Sequence, residues 1–174
     1  MTRPIINLAE APLIEMSHGE VFAFALRSLT RPFAAGRIGA NVTTVAPGKA
    51  AFPLHHHYGN EEHFFILSGS GVLRVGEDQF PVRQHDYIVN PAGGPELAHQ
   101  LINTGSEDLV YLAISTMVIP EVVGYPDSGK TGVRTVAGEG AEARFLMRDE
   151  AKNTVGYWDA EDGERVAGIL EKFK

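Results

Sequence analysis

Pro53-Leu54-His55-His56-His57-Tyr58-Gly59-Asn60-Glu61-Glu62 sets two histidines two residues apart, with a carboxylate five residues beyond. On a β-strand, residues i and i+2 leave the same face, so His55 and His57 point together while His56 points away. That is ligand spacing for a metal. A second histidine element, running from Pro91 to Asn103, lies far enough downstream to occupy a neighbouring strand and supply a further ligand, His99. Together the two elements predict a site of three imidazoles and one carboxylate.

Composition bounds what such a site could serve. A chain of 174 residues with 44% apolar content is long enough for one domain with a full core, not for two independent ones. The formal charge of -7 arises from 22 acidic against 15 basic residues, and the basic ones are scattered, which argues against a nucleic-acid partner. With no cysteine, disulfides, thiolate nucleophiles and sulfur-ligated metals are excluded, so any metal is held through nitrogen and oxygen. No stretch reaches the roughly 20 apolar residues that span a bilayer. The expectation is a soluble, cytoplasmic protein without a membrane partner.

Along the chain, short apolar runs are punctuated by Gly, Pro and Asn, the texture of a many-stranded β domain. Candidate strands are Val21 to Arg27, Gly39 to Ala46, Glu62 to Leu67, Gly71 to Val75, Asp78 to Val82, Tyr87 to Asn90, His99 to Asn103 and Leu109 to Thr116. Gly48, Gly69, Gly71, Gly76 and Gly105 suit turns that need positive φ. Strands of this length without a helical period between them predict an all-β fold, a closed barrel or two-sheet sandwich.

Beyond Ile119 the texture changes. Pro120, Gly124, Pro126, Asp127, Ser128, Gly129 and Gly132 read as a loop-rich connector. The tail is expected to add strands at Arg144 to Met147 and Thr154 to Trp158, then a helix whose Val166, Ile169, Leu170 and Phe173 form one apolar stripe. The organisation so read is an N-terminal strand and arm over 1–37, a barrel core over 38–119, and an extension over 120–174 that packs on it.

These residues resemble the cupin superfamily, whose first motif runs Gly, a spacer, His-x-His, three or four residues, Glu, six residues, Gly. Here it reads Gly48, His55, His57, Glu62 and Gly69, with a spacer one residue longer than usual after Gly48. The second motif maps onto His85, Pro91, Gly93, His99 and Asn103. His85 stands where the family has glycine, a substitution tolerable because histidine is enriched at positive φ. Five residues rather than two separate Gly93 from His99, which lengthens the loop beside the site. The resemblance covers roughly 38–116 and looks like a single-domain bacterial cupin with a type-2 conserved barrel. It implies a double-stranded β-helix, or jelly-roll barrel. Flanking stretches such as Asn60-Glu61-Glu62-His63-Phe64-Phe65 and Tyr125-Pro126-Asp127-Ser128-Gly129-Lys130 look like a bacterial cupin group whose members carry sugar-phosphate isomerase or auxin-binding-like labels.

The motif gap to Gly69 selects Glu62 over Glu61 as the carboxylate ligand. The expected cofactor is one divalent metal ion per chain on His55, His57, Glu62 and His99, with Zn, Mn, Fe, Ni and Co all compatible. Three nitrogens and one oxygen leave two positions of an octahedron for substrate or water. Parity names the walls: Phe64 and Ile66 follow Glu62 inward, Leu101 and Asn103 follow His99, and Asn41 and Thr43 share one face of the opening strand. Tyr58 and Glu61 are the candidates for proton transfer or hydrogen bonding to a bound ligand. Arg74 is the basic residue nearest the first motif and either holds an anion or faces solvent.

Three functions fit. In the first, the metal polarises a carbonyl or carboxylate of a small polar metabolite while a base moves a proton, as in isomerase, epimerase or lyase chemistry. In the second, redox-active iron makes a dioxygenase. In the third, the barrel binds a small molecule without turnover. Two-sided apolar strands such as that carrying Phe65 and Leu67 imply covered outer faces, and the resemblance implies a homodimer.

Overall fold

The computed structural model describes residues 4–33, 36–136 and 143–153. The expected strand Thr154 to Trp158 and the helix carrying Val166, Ile169, Leu170 and Phe173 lie outside the described residues. Strands run in chain order as β1 (Leu13–His18), β2 (Phe22–Ser28), β3 (Ile38–Val45), β4 (His56–His57), β5 (Glu62–Ser68), β6 (Ser70–Val75) and β7 (Asp78–Arg83). They continue as β8 (Tyr87–Asn90), β9 (His99–Ile102), β10 (Leu109–Thr116), β11 (Glu121–Tyr125), β12 (Lys130–Val136) and β13 (Ala143–Asp149). A single helical turn, α1 (Glu150–Asn153), follows. No helix among the described residues is long and apolar enough to cross a membrane.

A six-stranded sheet has the order β1-β2-β3-β10-β5-β8, a three-stranded sheet the order β7-β6-β9, and a four-stranded sheet the order β13-β12-β11-β4. Non-consecutive neighbours such as β3 with β10 are antiparallel, so the connections cross between layers, and the fold is a jelly-roll β-sandwich. Period-2 alternation fills the interior. Phe64 and Ile66 of β5 meet Leu109, Tyr111 and Ala113 of β10, with Val45, Leu73, Val82, Ile88 and Leu101 completing the core. His63, Phe65 and Leu67 take the other face of β5 and are only half-buried.

Three sequence expectations need correction. The connector after Ile119 is not loop-rich: Val122, Val123 and Tyr125 carry enough β-propensity to form β11, which turns at Gly129 (φ +58°) and pairs with β12. Leu13–His18, given no element from sequence, is the edge strand β1, mostly exposed and held by its register with β2. Gly48, Gly69 and Gly76 have positive φ, whereas Gly71 and Gly105 do not. Those two are small because side chains would meet the Ile102 carbonyl and Ser70 respectively.

His85 does take the left-handed conformation, at φ +74°, and stacks its ring on Phe65. It closes the turn by donating its N–H to the Ile66 carbonyl at 2.9 Å.

Candidate metal centre

The first histidine segment enters the barrel as the two-residue strand β4, preceded by an isolated bridge that sets His55 directly opposite His99. That bridge has both backbone bonds, His99 N to His55 O at 2.8 Å and His55 N to His99 O at 3.3 Å. Directly opposed residues share a face, so the two rings meet, 4.8 Å between centroids. Alternation brings His57 to the same side. His56 points away, its Nδ1 donating to the Gly93 carbonyl at 2.8 Å, and its ring covers Gly124 so closely that a Cβ there would overlap it.

The lengthened loop after Gly93 folds as a 3₁₀ turn over Pro95–Leu97 and returns the chain in register for His99. Gly93 N donates to the His57 carbonyl at 2.8 Å, so this one glycine ties the loop to both His56 and His57.

The ligand atoms converge. Oε2 of Glu62 stands 3.2 Å from Nε2 of His99 and 3.7 Å from Nε2 of both His55 and His57. One ligand atom from each of the four residues lies within 4.8 Å of all the others. An ion about 2.1 Å from each ligand requires neighbouring ligands roughly 3–3.5 Å apart, so the cluster is pre-shaped for a metal with small adjustment.

Protonation agrees with that fit. Nδ1 of His55 faces the Pro53 carbonyl at 2.9 Å and Nδ1 of His99 faces the Leu97 carbonyl at 3.3 Å. A carbonyl only accepts, so both rings carry a proton on Nδ1; a second proton on Nε2 is the one that faces Glu62, as in the 3.2 Å contact from His99, and its loss frees that lone pair for a metal. Both ring nitrogens of His57 are buried without a hydrogen-bond partner among the described residues, and a metal would supply the partner of Nε2. The cluster can hold a metal ion.

Electrostatics sharpen the picture. Burial pushes the Glu62 carboxyl upward, but the surrounding His55, His57 and His99 imidazoles outweigh it and hold the group well below the usual carboxylate range. Burial lowers His99, favouring the neutral ligand form. His57 is also pulled down by burial, yet Glu62 and then Glu121 raise it overall.

Glu121 was not anticipated from sequence. It is 3% exposed, sets Oε1 3.4 Å from Nδ1 of His57, and is bonded by the Asn60 amide and the Gly59 N–H. Asn60 is itself fixed, accepting from Val118 N at 2.7 Å and Thr116 Oγ1 at 2.9 Å.

Above the cluster lies a cavity of about 250 Å³, walled by Asn41, Phe52, Phe64, Tyr125 and Arg134 among others. Of the six wall residues expected from parity, Asn41 and Phe64 line it. Ile66 and Leu101 lie deeper in the barrel core. Thr43 is fully buried and donates to Asn41 Oδ1 at 2.7 Å. Asn103 is also fully buried and clamps a turn, its Nδ2 donating to Val45 O at 2.7 Å and Glu107 O at 2.8 Å.

Neither proton-transfer candidate reaches the cavity lining. Tyr58 is exposed, its ring edge-on to His56. Glu61 is exposed and lies 3.8 Å from His63, whose Nδ1 contacts the Tyr87 hydroxyl at 2.8 Å. Arg74 makes a bidentate pair with Asp127 at 2.7 and 2.9 Å, away from the site.

Comparison with known proteins agrees with this architecture. Residues 41–115 match the family model described as a cupin domain. The chain is 36% identical over 113 residues to the uncharacterized protein MJ1618 of Methanocaldococcus jannaschii, covering 65% of this chain and 78% of that one. It is 32% identical over 68 residues to an oxalate-binding protein of Thermotoga maritima, covering 39% and 54% respectively. Among solved structures, a protein of Acidithiobacillus ferrooxidans provisionally assigned as a sugar phosphate isomerase superposes with a TM-score of 0.70 at 26% identity, over 88% of this chain and 96% of that one. With the barrel, both histidine motifs and the convergent His55, His57, Glu62 and His99 in place, the chain belongs to the cupin superfamily.

Proposed function

We propose that this chain binds one divalent metal ion through His55, His57, Glu62 and His99 and acts on a small oxygen-rich metabolite by non-redox isomerase, epimerase or lyase chemistry. The observation that carries the reading is the convergence of three Nε2 atoms on one Glu62 oxygen beneath a cavity sized for a small ligand. A divalent ion there supplies a Lewis acid that polarises a ligand oxygen.

The protein's own groups fill the remaining roles. The Pro53 and Leu97 carbonyls orient His55 and His99 through hydrogen bonds, and the Glu121 carboxylate faces Nδ1 of His57 at 3.4 Å. Phe52 and Phe64 wall the cavity with apolar surface and restrict water. Tyr125 lines the same space, and burial raises its phenol, so it stays protonated and can donate a hydrogen bond or proton to a ligand oxygen. Likeness to an oxalate-binding protein and to a protein assigned as a sugar phosphate isomerase is consistent with an oxygen-rich ligand.

One observation favours a second reading, metal-dependent binding without turnover: Tyr58 and Glu61, the sequence candidates for proton transfer, are outside the cavity lining. Proton NMR in D₂O separates the two. Exchange of a C–H adjacent to a carbonyl in 2-hydroxy acids or aldoses, dependent on metal and lost in Tyr125→Phe, supports the enzyme. Ligand binding without exchange across both panels leaves the binding barrel.

A further inference from the structure

Arg134 of β12 is a cation that the metal cluster does not use. It lies directly opposite Glu121 in the β11–β12 register, so both side chains leave the same face of the sheet. It lines the metal cavity, is half-buried, and has no ion-pair or hydrogen-bond partner among the described residues. Its guanidinium donors are therefore available to a ligand that enters the cavity.

Two further donors share its position. The metal cavity and a broader outer cavity of about 710 Å³ have Asn41, Ser115, Met117 and Arg134 in common, so these residues form the wall between them. Asn41 accepts from Thr43 through Oδ1, which leaves its amide N–H₂ uncommitted. The Ser115 hydroxyl makes only a weak contact to Met117 Sδ at 3.8 Å.

Charge decides what such a wall receives. Among the cavity's charged side chains Glu62 and Glu121 outnumber Arg134, and a divalent ion at the cluster would reverse that balance to net positive. An anion is then welcome, and the guanidinium fork matches carboxylate or phosphate geometry.

Building on the metal-site reading above, we infer that Arg134, with Asn41 and Ser115, forms an anion-recognition subsite, and that the substrate class is a 2-hydroxy or 2-oxo acid bearing a second anionic group. The chelating end meets the cluster, and the second carboxylate or phosphate meets Arg134. Arg134 lies outside the stretch matched by the family model, whereas Asn41 and Ser115 lie within it, so the C-terminal extension adds the cation to donors that the barrel supplies.

The test is equilibrium binding by calorimetry to protein loaded with Zn²⁺ or Ni²⁺, its metal content measured before and after titration. The probes are lactate, which carries the chelating end alone, malate, which adds a carboxylate, and 3-phosphoglycerate, which adds a phosphate. At least one of the last two binds wild type roughly tenfold or more tightly than lactate, as a charge-assisted bidentate contact provides. Which of them does so identifies the anion.

Arg134→Gln removes that preference, lowering affinity for the doubly anionic probe by more than for lactate with metal content unchanged, and Arg134→Lys retains part of it. Malate and 3-phosphoglycerate binding no tighter than lactate, or a preference surviving in Arg134→Gln, overturns the subsite while leaving the metal centre standing. Wild-type protein that takes up no metal overturns both.

Discussion

Oε1 of Glu121 stands 3.4 Å from Nδ1 of His57, across the ring from the Glu62 oxygen that faces Nε2 at 3.7 Å. The imidazole is thus held between two carboxylates, one among the prospective ligands and one behind. Of the three candidate ligand histidines, His57 alone has a carboxylate rather than a backbone carbonyl beside Nδ1.

A buried carboxylate behind a ligand imidazole increases its basicity and fixes its tautomer. Glu121→Gln therefore weakens metal binding about 10- to 100-fold, because the amide removes the charge while keeping the shape. Competition against a chromophoric chelator measures it. Unchanged affinity in a folded variant assigns Glu121 to structure alone.

Gly124 lies beneath the His56 ring, which is anchored to the Gly93 carbonyl. Gly124→Ala forces the ring off this position at a cost of roughly 1–3 kcal/mol of stability. Adding His56→Ala removes the clash, so the double variant is less destabilised than the sum of the singles. Chemical denaturation of the four proteins reads the coupling. Strict additivity would show that the two residues do not oppose each other.

Asn103 was expected at the pocket wall, yet it is fully buried and joins Val45, Gly105 and Glu107 through three hydrogen bonds. Asn103→Ala leaves two carbonyls without that donor and costs about 2–3 kcal/mol, with metal affinity near wild type. Urea denaturation together with metal titration distinguishes this from a direct site role, which would lower affinity while sparing stability.

Arg74 and Asp127 form a well-aligned but exposed pair joining β6 to the turn after β11. The hydrogen bonds to Asp127 hold the guanidinium above its ordinary range, against the opposing effect of burial. Because solvent screens such pairs, Arg74→Ala costs less than about 1 kcal/mol, and salt diminishes the difference. Thermal denaturation at low and high ionic strength tests this. A larger, salt-independent loss would mean that the arginine stem packs rather than pairs.

Much of the barrel and the convergence of His55, His57, Glu62 and His99 was legible because short-range periodicity carries them. Spacing put His55 and His57 on one face, and positive φ at His85 was foreseeable from its residue type. Parity, however, gives the face and not the depth. Ile66, Leu101 and Asn103 do point inward from their strands, but they lie below the cavity in the barrel core.

Residues brought in by distant strands left no local signal. Glu121, Tyr125 and Arg134 come from β11 and β12, a stretch whose prolines and glycines read as a connector. The alternation within Glu121-Val122-Val123-Gly124-Tyr125 was the available cue. It places Glu121, Val123 and Tyr125 on one face, and all three line the cavity. Asn60 was hidden for another reason: its role is to hold Glu121, a partner 61 positions away.

The most direct test of the metal centre is elemental analysis of untagged protein purified without chelator, beside a His57→Ala, Glu62→Ala double variant confirmed folded by circular dichroism. Close to one equivalent of a first-row divalent metal per chain, lost in the variant, is the predicted result. No metal in the wild-type protein after reconstitution with Mn²⁺, Fe²⁺, Co²⁺, Ni²⁺ and Zn²⁺, or equal metal in both proteins, would contradict it.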